Sequence, residues 1–148
     1  MSLFNLKNKS ILITGSSRGI GKSIARHSAL MGANVIISSR KIDACKSAAK
    51  EINDEVGKEV AFPITCNIGD ENQLKNLVDE TINLLGKIDT LVCNAATNTY
   101  MGSMLDMSNE QFDKVIHNNI RSNQILCNLC LPHMIEKEDG SIIIVSSI

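Results

Sequence analysis

The chain has 148 residues, with 15 basic and 16 acidic side chains and a formal net charge of -1. That length suits one domain with a real core, and the balanced charge provides no basic stripe for a nucleic-acid backbone or an anionic membrane, so neither partner is expected. No apolar run approaches the roughly 20 residues that cross a bilayer, and the opening Met1-Ser2-Leu3-Phe4-Asn5-Leu6-Lys7 lacks a signal-peptide core; a cytoplasmic protein is expected.

The five cysteines are odd in number and scattered through apparent strands and helices, which argues against a disulfide scaffold. Cys127 and Cys130 stand among Ile125, Leu126, Leu129 and Leu131 in mid-helix, where they read as small buried hydrophobes. His27, His117 and His133 show no ligand spacing, and no metal site is expected.

In chain order, Ser10-Ile11-Leu12-Ile13-Thr14 reads as a strand and Thr14-Gly15-Ser16-Ser17-Arg18-Gly19-Ile20-Gly21 as a glycine loop. Ile20, Ile24, Ala25, Ser28 and Met31 then recur at helical spacing. Strand, glycine turn and helix in that order suit a dinucleotide, because the helix start offers free N–H groups and a positive dipole end to a pyrophosphate. Asn34-Val35-Ile36-Ile37-Ser38 is a second strand, entered through Gly32-Ala33. A helix comes next with Ala44, Ala48, Ala49, Ile52 and Val56 on one face, stopped at Gly57. Val60-Ala61-Phe62-Pro63-Ile64 is a third strand, and Pro63 suggests a sheet edge. Leu74, Leu77, Val78, Thr81, Ile82 and Leu85 stripe a helix that Gly86 closes, with Asp70 and Glu71 at its start. Thr90-Leu91-Val92-Cys93 is the fourth strand and Ser141-Ile142-Ile143-Ile144-Val145 the fifth. Between them a loop leads to one long helix over 108–134, opened by a Ser108/Gln111 capping box, with Phe112, Val115, Ile116, Ile120, Cys127, Cys130 and Met134 on one side and Pro132 kinking its last turn.

Strands alternating with helices imply βαβ units: a doubly wound α/β fold with a parallel sheet in the order 3-2-1-4-5. The ligand is then expected at the carboxyl ends of strands one, four and five. Strand five has no polar alternation, the pattern of a strand flanked on both sides. One edge and one face would be bare in these residues, and the chain alone is expected to self-associate.

At the end of strand two, where an acid would hold a ribose 2′-hydroxyl, stand Ser39 and Arg40. A carboxylate would repel a 2′-phosphate, whereas Arg40 with Arg18 would clamp it, so NADP(H) is expected over NAD(H). Asp43 is expected to lie in the first turn of the next helix; in a tighter turn it would instead reach the ribose.

These segments resemble the short-chain dehydrogenase/reductase family. The resemblance rests on the Thr-Gly-x-x-x-Gly-x-Gly loop, Cys93-Asn94-Ala95-Ala96 after strand four, Asn119 in the long helix and Ser146-Ser147-Ile148 after strand five. It implies a single Rossmann-type domain over 1–148, incomplete at its C-terminal end. Gly15, Ser17, Arg18, Gly19, Ile20 and Gly21 are the implied cradle, Asn67 and Ile68 the adenine contact, and Asn94, Ala95 and Ala96 the ribose side, with Cys93 and Ala96 departing from the family's Asn and Gly. Asn119 is the implied relay residue, and Ser147 the catalytic-type serine that holds the substrate oxygen. The family's tyrosine and lysine pair would fall beyond Ser147; Tyr100 has Met104 where that lysine would stand, and the 148 residues alone are expected to be inactive.

The implied activity is reduction of a ketone or aldehyde to an alcohol, or the reverse, on a small molecule, with a homo-oligomeric full-length form, dimer or tetramer. A 3-oxoacyl-carrier-protein reductase is the second choice. A non-catalytic nucleotide-binding subunit, pairing through its long helix, is the alternative from another class.

Overall fold

The computed structural model describes residues 4–147. Ile148, the last residue of the Ser-Ser-Ile segment, and Met1, Ser2 and Leu3 at the start lie outside the described residues. The strands are β1 (Ser10–Thr14), β2 (Asn34–Ser39), β3 (Ala61–Thr65), β4 (Thr90–Cys93) and β5 (Ser141–Ile144). The helices are α1 (Gly19–Leu30), α2 (Ile42–Val56), α3 (Glu71–Leu85), α4 (Asn109–Ile116) and α5 (Ser122–Glu136), with a π-turn at His117–Arg121 and a short 3-10 turn at Met104–Asp106.

All pairings are parallel and the order is β3-β2-β1-β4-β5, as the alternation of elements requires. Pro63 lies on β3, which among the described residues pairs only with β2 and forms one edge. Alternate side chains of the same apolar strands feed two cores. Ile11, Ile13, Val35 and Ile37 pack with Ala25, Ala29, Ala48 and Ala49 of α1 and α2. Leu12, Ile36 and Leu91 pack with Leu74, Leu77 and Val78 of α3 and with Leu126, Cys130 and Met134 of α5. Both faces are therefore covered over β1, β2 and β4, the condition under which continuous apolar strands are stable, whereas β5 is left largely exposed.

Two helix faces differ from the sequence reading. The buried side of α1 is Gly21, Ala25 and Ala29, while Ile20 is 65% exposed at the loop. Small residues win there because the helix lies close on the sheet. The long helix is interrupted by the π-turn, whose wider winding rotates the turns after it. Asn118, Ser122, Leu126, Cys130 and Met134 form the buried side, and Phe112, Ile116 and Ile120 face outward. The Ser108/Gln111 capping box is present. Pro132 lies within α5, which continues to Glu136.

The amino ends of β1, β4 and β5 converge on Asp89, which is 3% exposed. Its carboxylate accepts from the Ser10 N–H at 2.7 Å and from Lys137 Nζ at 2.9 Å, and Lys87 Nζ lies 2.9 Å away. Burial pushes this carboxyl up, but Lys137, the Ser10 N–H and Lys87 outweigh it and bring it down to about 2. Asp89 also joins the strands through its backbone, donating to Ser10 O and accepting from the Ser141 N–H, both at 2.9 Å.

Beyond β5 the sheet edge is open among the described residues, and Ile143 and Ile144 are 50% and 57% exposed. Purified as these 148 residues, the chain is expected to elute as self-associated species, and Ile144→Lys to raise the monomer fraction. Size-exclusion chromatography with light scattering measures this; a monodisperse unsubstituted monomer would count against it.

Candidate nucleotide-binding site

At the carboxyl ends of the strands lies a cleft of about 700 Å³. Its floor is the turn from β1 into α1. Gly15 and Gly19 have φ of 65° and 57°, the left-handed region that side chains rarely adopt. A Cβ on Gly21 would stand 2.5 Å from both Asn94 Nδ2 and Gly15 O, so only glycine lets α1 start this close to β4. At Gly19 nothing lies within 4 Å of such a Cβ, and the loop is open on the cleft side. Among the described residues no side chain caps the N-terminus of α1, leaving its first N–H groups for an anion.

Neighbouring elements hold the loop rigid. Asn94 Nδ2 donates to Thr14 O at 2.9 Å and to Gly15 O at 3.1 Å, and the Asn94 and Ala95 N–H groups both donate to Thr14 Oγ1 at 3.1 Å. Ser16 is fully buried; its Oγ donates to Ile13 O at 2.7 Å and accepts from the Ser38 N–H at 2.8 Å. Gly21→Ala would push Asn94 off the loop and is expected to lower nucleotide affinity at least about tenfold with a reduced Tm, read by calorimetric titration and thermal melting. Unchanged affinity would show that the Asn94 contact is dispensable.

The cleft gathers every residue expected to bind cofactor: Gly15, Ser17, Arg18, Gly19, Ile20, Gly21, Ser39, Arg40, Asn67, Ile68, Asn94, Ala95 and Ala96. Arg18, Arg40 and Lys114 bring three cations to its lining, which contains no carboxylate, and among the described residues none of the three has an ion-pair partner. Asp43 lies in the first turn of α2, outside that lining. The Asn67 side-chain oxygen accepts the Gly69 N–H at 3.1 Å, so one of its lone pairs already serves its own turn.

Lys114, His117 and Asn118 also line the cleft and were not anticipated from sequence. The signal was a polar His-Asn-Asn run inside an apolar helix, but the π-turn that aims it has no sequence signature. His117 Nε2 lies 3.1 Å from Gly69 O, tying this helix to the loop after β3.

The two residues implied to be catalytic lie outside the cleft lining. The Asn119 side chain clamps Thr97 at two points: its Oδ1 accepts the Thr97 N–H at 2.8 Å and its Nδ2 donates to Thr97 O at 2.9 Å. The amide thus finds its partners in the loop after β4, which it positions. Ser147 comes after β5, beside the segment where the Val145 N–H donates to Cys93 O at 3.0 Å.

Cys66, Cys93 and Cys130 are buried, and burial pushes each thiol up to about 12. They stay protonated at neutral pH and pack as small apolar groups. Among the described residues there is no group of three or more His, Cys, Asp or Glu placed to hold a metal, and no helix long and apolar enough to cross a membrane.

Residues 9–148 match the short chain dehydrogenase family, and the chain belongs to it. Dehydrogenase/reductase SDR family member 4 of Sus scrofa is 36% identical over 143 residues, which are 97% of this chain and 50% of the relative. The chain therefore spans about half the length of such relatives. A short-chain type dehydrogenase/reductase from Mycobacterium marinum superposes with a TM-score of 0.91 at 36% identity, covering 99% of this chain and 60% of that one. A 7α-hydroxysteroid dehydrogenase complexed with NADH and 7-oxo glycochenodeoxycholic acid superposes with a TM-score of 0.90 at 35% identity, over 97% and 55% of the respective chains. The fold is thus the Rossmann-like one of short-chain oxidoreductases, a family that binds nicotinamide cofactors and acts on small molecules.

Proposed function

We propose that the chain is the nucleotide-binding part of an NADP(H)-dependent oxidoreductase that interconverts a carbonyl compound and an alcohol. The observation that carries the cofactor choice is the cationic, carboxylate-free lining formed by Arg18, Arg40 and Lys114. The uncapped start of α1 and the open space at Gly19 suit a pyrophosphate. Arg18 and Arg40 would hold the 2′-phosphate through charge-assisted hydrogen bonds. When bound, the nicotinamide supplies or accepts the hydride.

The remaining roles belong to this chain's own residues. Asn94 keeps the glycine loop in register with β4. Asn119 fixes the Thr97 loop that borders the cleft and would support the proton relay from there. Ser147 would donate a hydrogen bond to the substrate oxygen and stabilise developing negative charge. These 148 residues contain no Tyr-x-x-x-Lys, and by themselves would hold nucleotide without turnover. The outward apolar side chains Phe112, Ile116 and Ile120 support a homo-oligomeric full-length form.

Titration of the full-length protein with NADPH and NADH tests the cofactor, and tighter NADH binding would refute the choice. An NADPH-oxidation screen over ketones and aldehydes tests the reaction; no turnover with any of them would sink the reductase reading.

A further inference from the structure

Asn118 is 8% exposed and lines the cleft. Its Nδ2 donates to Thr97 Oγ1 at 3.2 Å, which fixes the amide plane. Its Oδ1 sits over the loop after β3, so close that a Cβ on Gly69 would stand 2.8 Å away. Among the described residues no donor reaches this oxygen. None of their fully buried side-chain nitrogens or oxygens lacks a partner, so the unpartnered Oδ1 keeps some contact with solvent, on a residue that lines the cleft.

An amide with its donor end tied to Thr97 and its acceptor end open to solvent at a cleft is pre-oriented to accept a hydrogen bond from a ligand in place of water. The neighbours define the ligand. The cleft lining also includes Cys66, Asn67, Ile68 and Gly69 of the loop after β3, against which Oδ1 sits, and the cations that suit the phosphates. An adenine set against the loop after β3, as the cofactor reading has it, would bring the amino donor on its edge to this oxygen. Asn67, the residue expected from sequence to accept from that donor, already commits one lone pair of its oxygen to the Gly69 N–H.

We propose that Asn118 is a base-recognition residue, its Oδ1 accepting a hydrogen bond from the 6-amino group of the cofactor's adenine. This deepens the cofactor reading and rests on it. The π-turn places Asn118 and Asn119, neighbours in sequence, so that both reach Thr97, and the same loop that borders the cleft thereby orients the base-reading amide.

The test uses 2′-phospho-ADP-ribose and its hypoxanthine counterpart, titrated calorimetrically into the purified full-length protein. Hypoxanthine presents a 6-carbonyl oxygen to Oδ1 where adenine presents an amino donor. The unsubstituted protein is expected to prefer the adenine ligand by about tenfold or more. Asn118→Leu, of similar size but with no acceptor, is expected to bind both ligands within about twofold of each other. Asn118→Asp keeps an acceptor and leaves the Thr97 hydroxyl free to donate, so it is expected to retain the preference. The ratio of the two affinities cancels any general weakening from packing, and thermal melting confirms that each variant is folded. Binding of both ligands equally by the unsubstituted protein, or an undiminished preference in Asn118→Leu, would overturn the inference while leaving the cofactor reading intact. Binding of neither would overturn both.

Discussion

Replacing Arg40 by Asp and Arg18 by Ala together is expected to reduce NADPH affinity by about 100-fold while changing NADH affinity only a few-fold, reversing the preference. Each guanidinium that hydrogen-bonds a phosphate contributes on the order of 1.5–3 kcal/mol, because a charge-assisted bond is about twice as strong as a neutral one. In this cleft neither arginine is engaged in an ion pair among the described residues, so none has to be broken when phosphate binds. The carboxylate introduced in place of Arg40 would repel a 2′-phosphate and accept from a free 2′-hydroxyl, which is why the reversal should exceed simple loss. Fluorescence titration with both cofactors measures it, and a double variant that still prefers NADPH would place the 2′-phosphate site elsewhere.

The second large effect lies at the opposite end of the sheet. Asp89→Ala is expected to cost about 3 kcal/mol or more, since it strands the buried Ser10 N–H and leaves Lys87 and Lys137 without their shared partner. The same group predicts an acid limb in stability. Its folded pKa of about 2 is below the ordinary 3.8. The carboxylate's contribution is therefore complete above the unfolded value and is lost as pH falls from roughly 4 through 2. The depression corresponds to about 2 kcal/mol. Urea melts between pH 7 and pH 2.5 should show a steeper acid loss in the unsubstituted protein than in Asp89→Asn. Parallel pH dependences for the two would remove Asp89 from the account.

The three-dimensional arrangement explains how two such different charge sites coexist. Asp89 is surrounded at the amino ends of the strands, where it joins three of them and meets cations that it neutralises. At the carboxyl ends, cations accumulate without acids and the start of α1 is uncapped. The cores between the two ends are apolar on both faces of the sheet, so the glycine loop rests on a support that Ser16 and Asn94 lock by hydrogen bonds.

Much of this was legible in the residues alone. β1 and β4 fall where the apolar runs put them, because a strand buried on both faces admits little else than Val, Ile and Leu. Gly57 and Gly86 close α2 and α3 in the left-handed conformation, as glycines after an amphipathic stripe should. The expected cofactor residues reach one cleft because each belongs to a strand's carboxyl end or the turn after it, and parallel topology brings those ends together. The outward side of the long helix was not legible. Periodicity assumes a regular 3.6-residue turn, and the π-turn at His117–Arg121 breaks that count without a marker in the sequence.

By itself, then, the sequence determined the βαβ alternation, the strand order and the cationic glycine cradle, since these arise from local pattern and from chain topology. Only the tertiary structure decided which asparagine is clamped to Thr97's backbone and which lines the cleft, and that Asn67 satisfies its own loop. Such choices depend on which donor lies within hydrogen-bonding distance of which acceptor. That is a property of packed elements distant in sequence, to which spacing along the chain is blind.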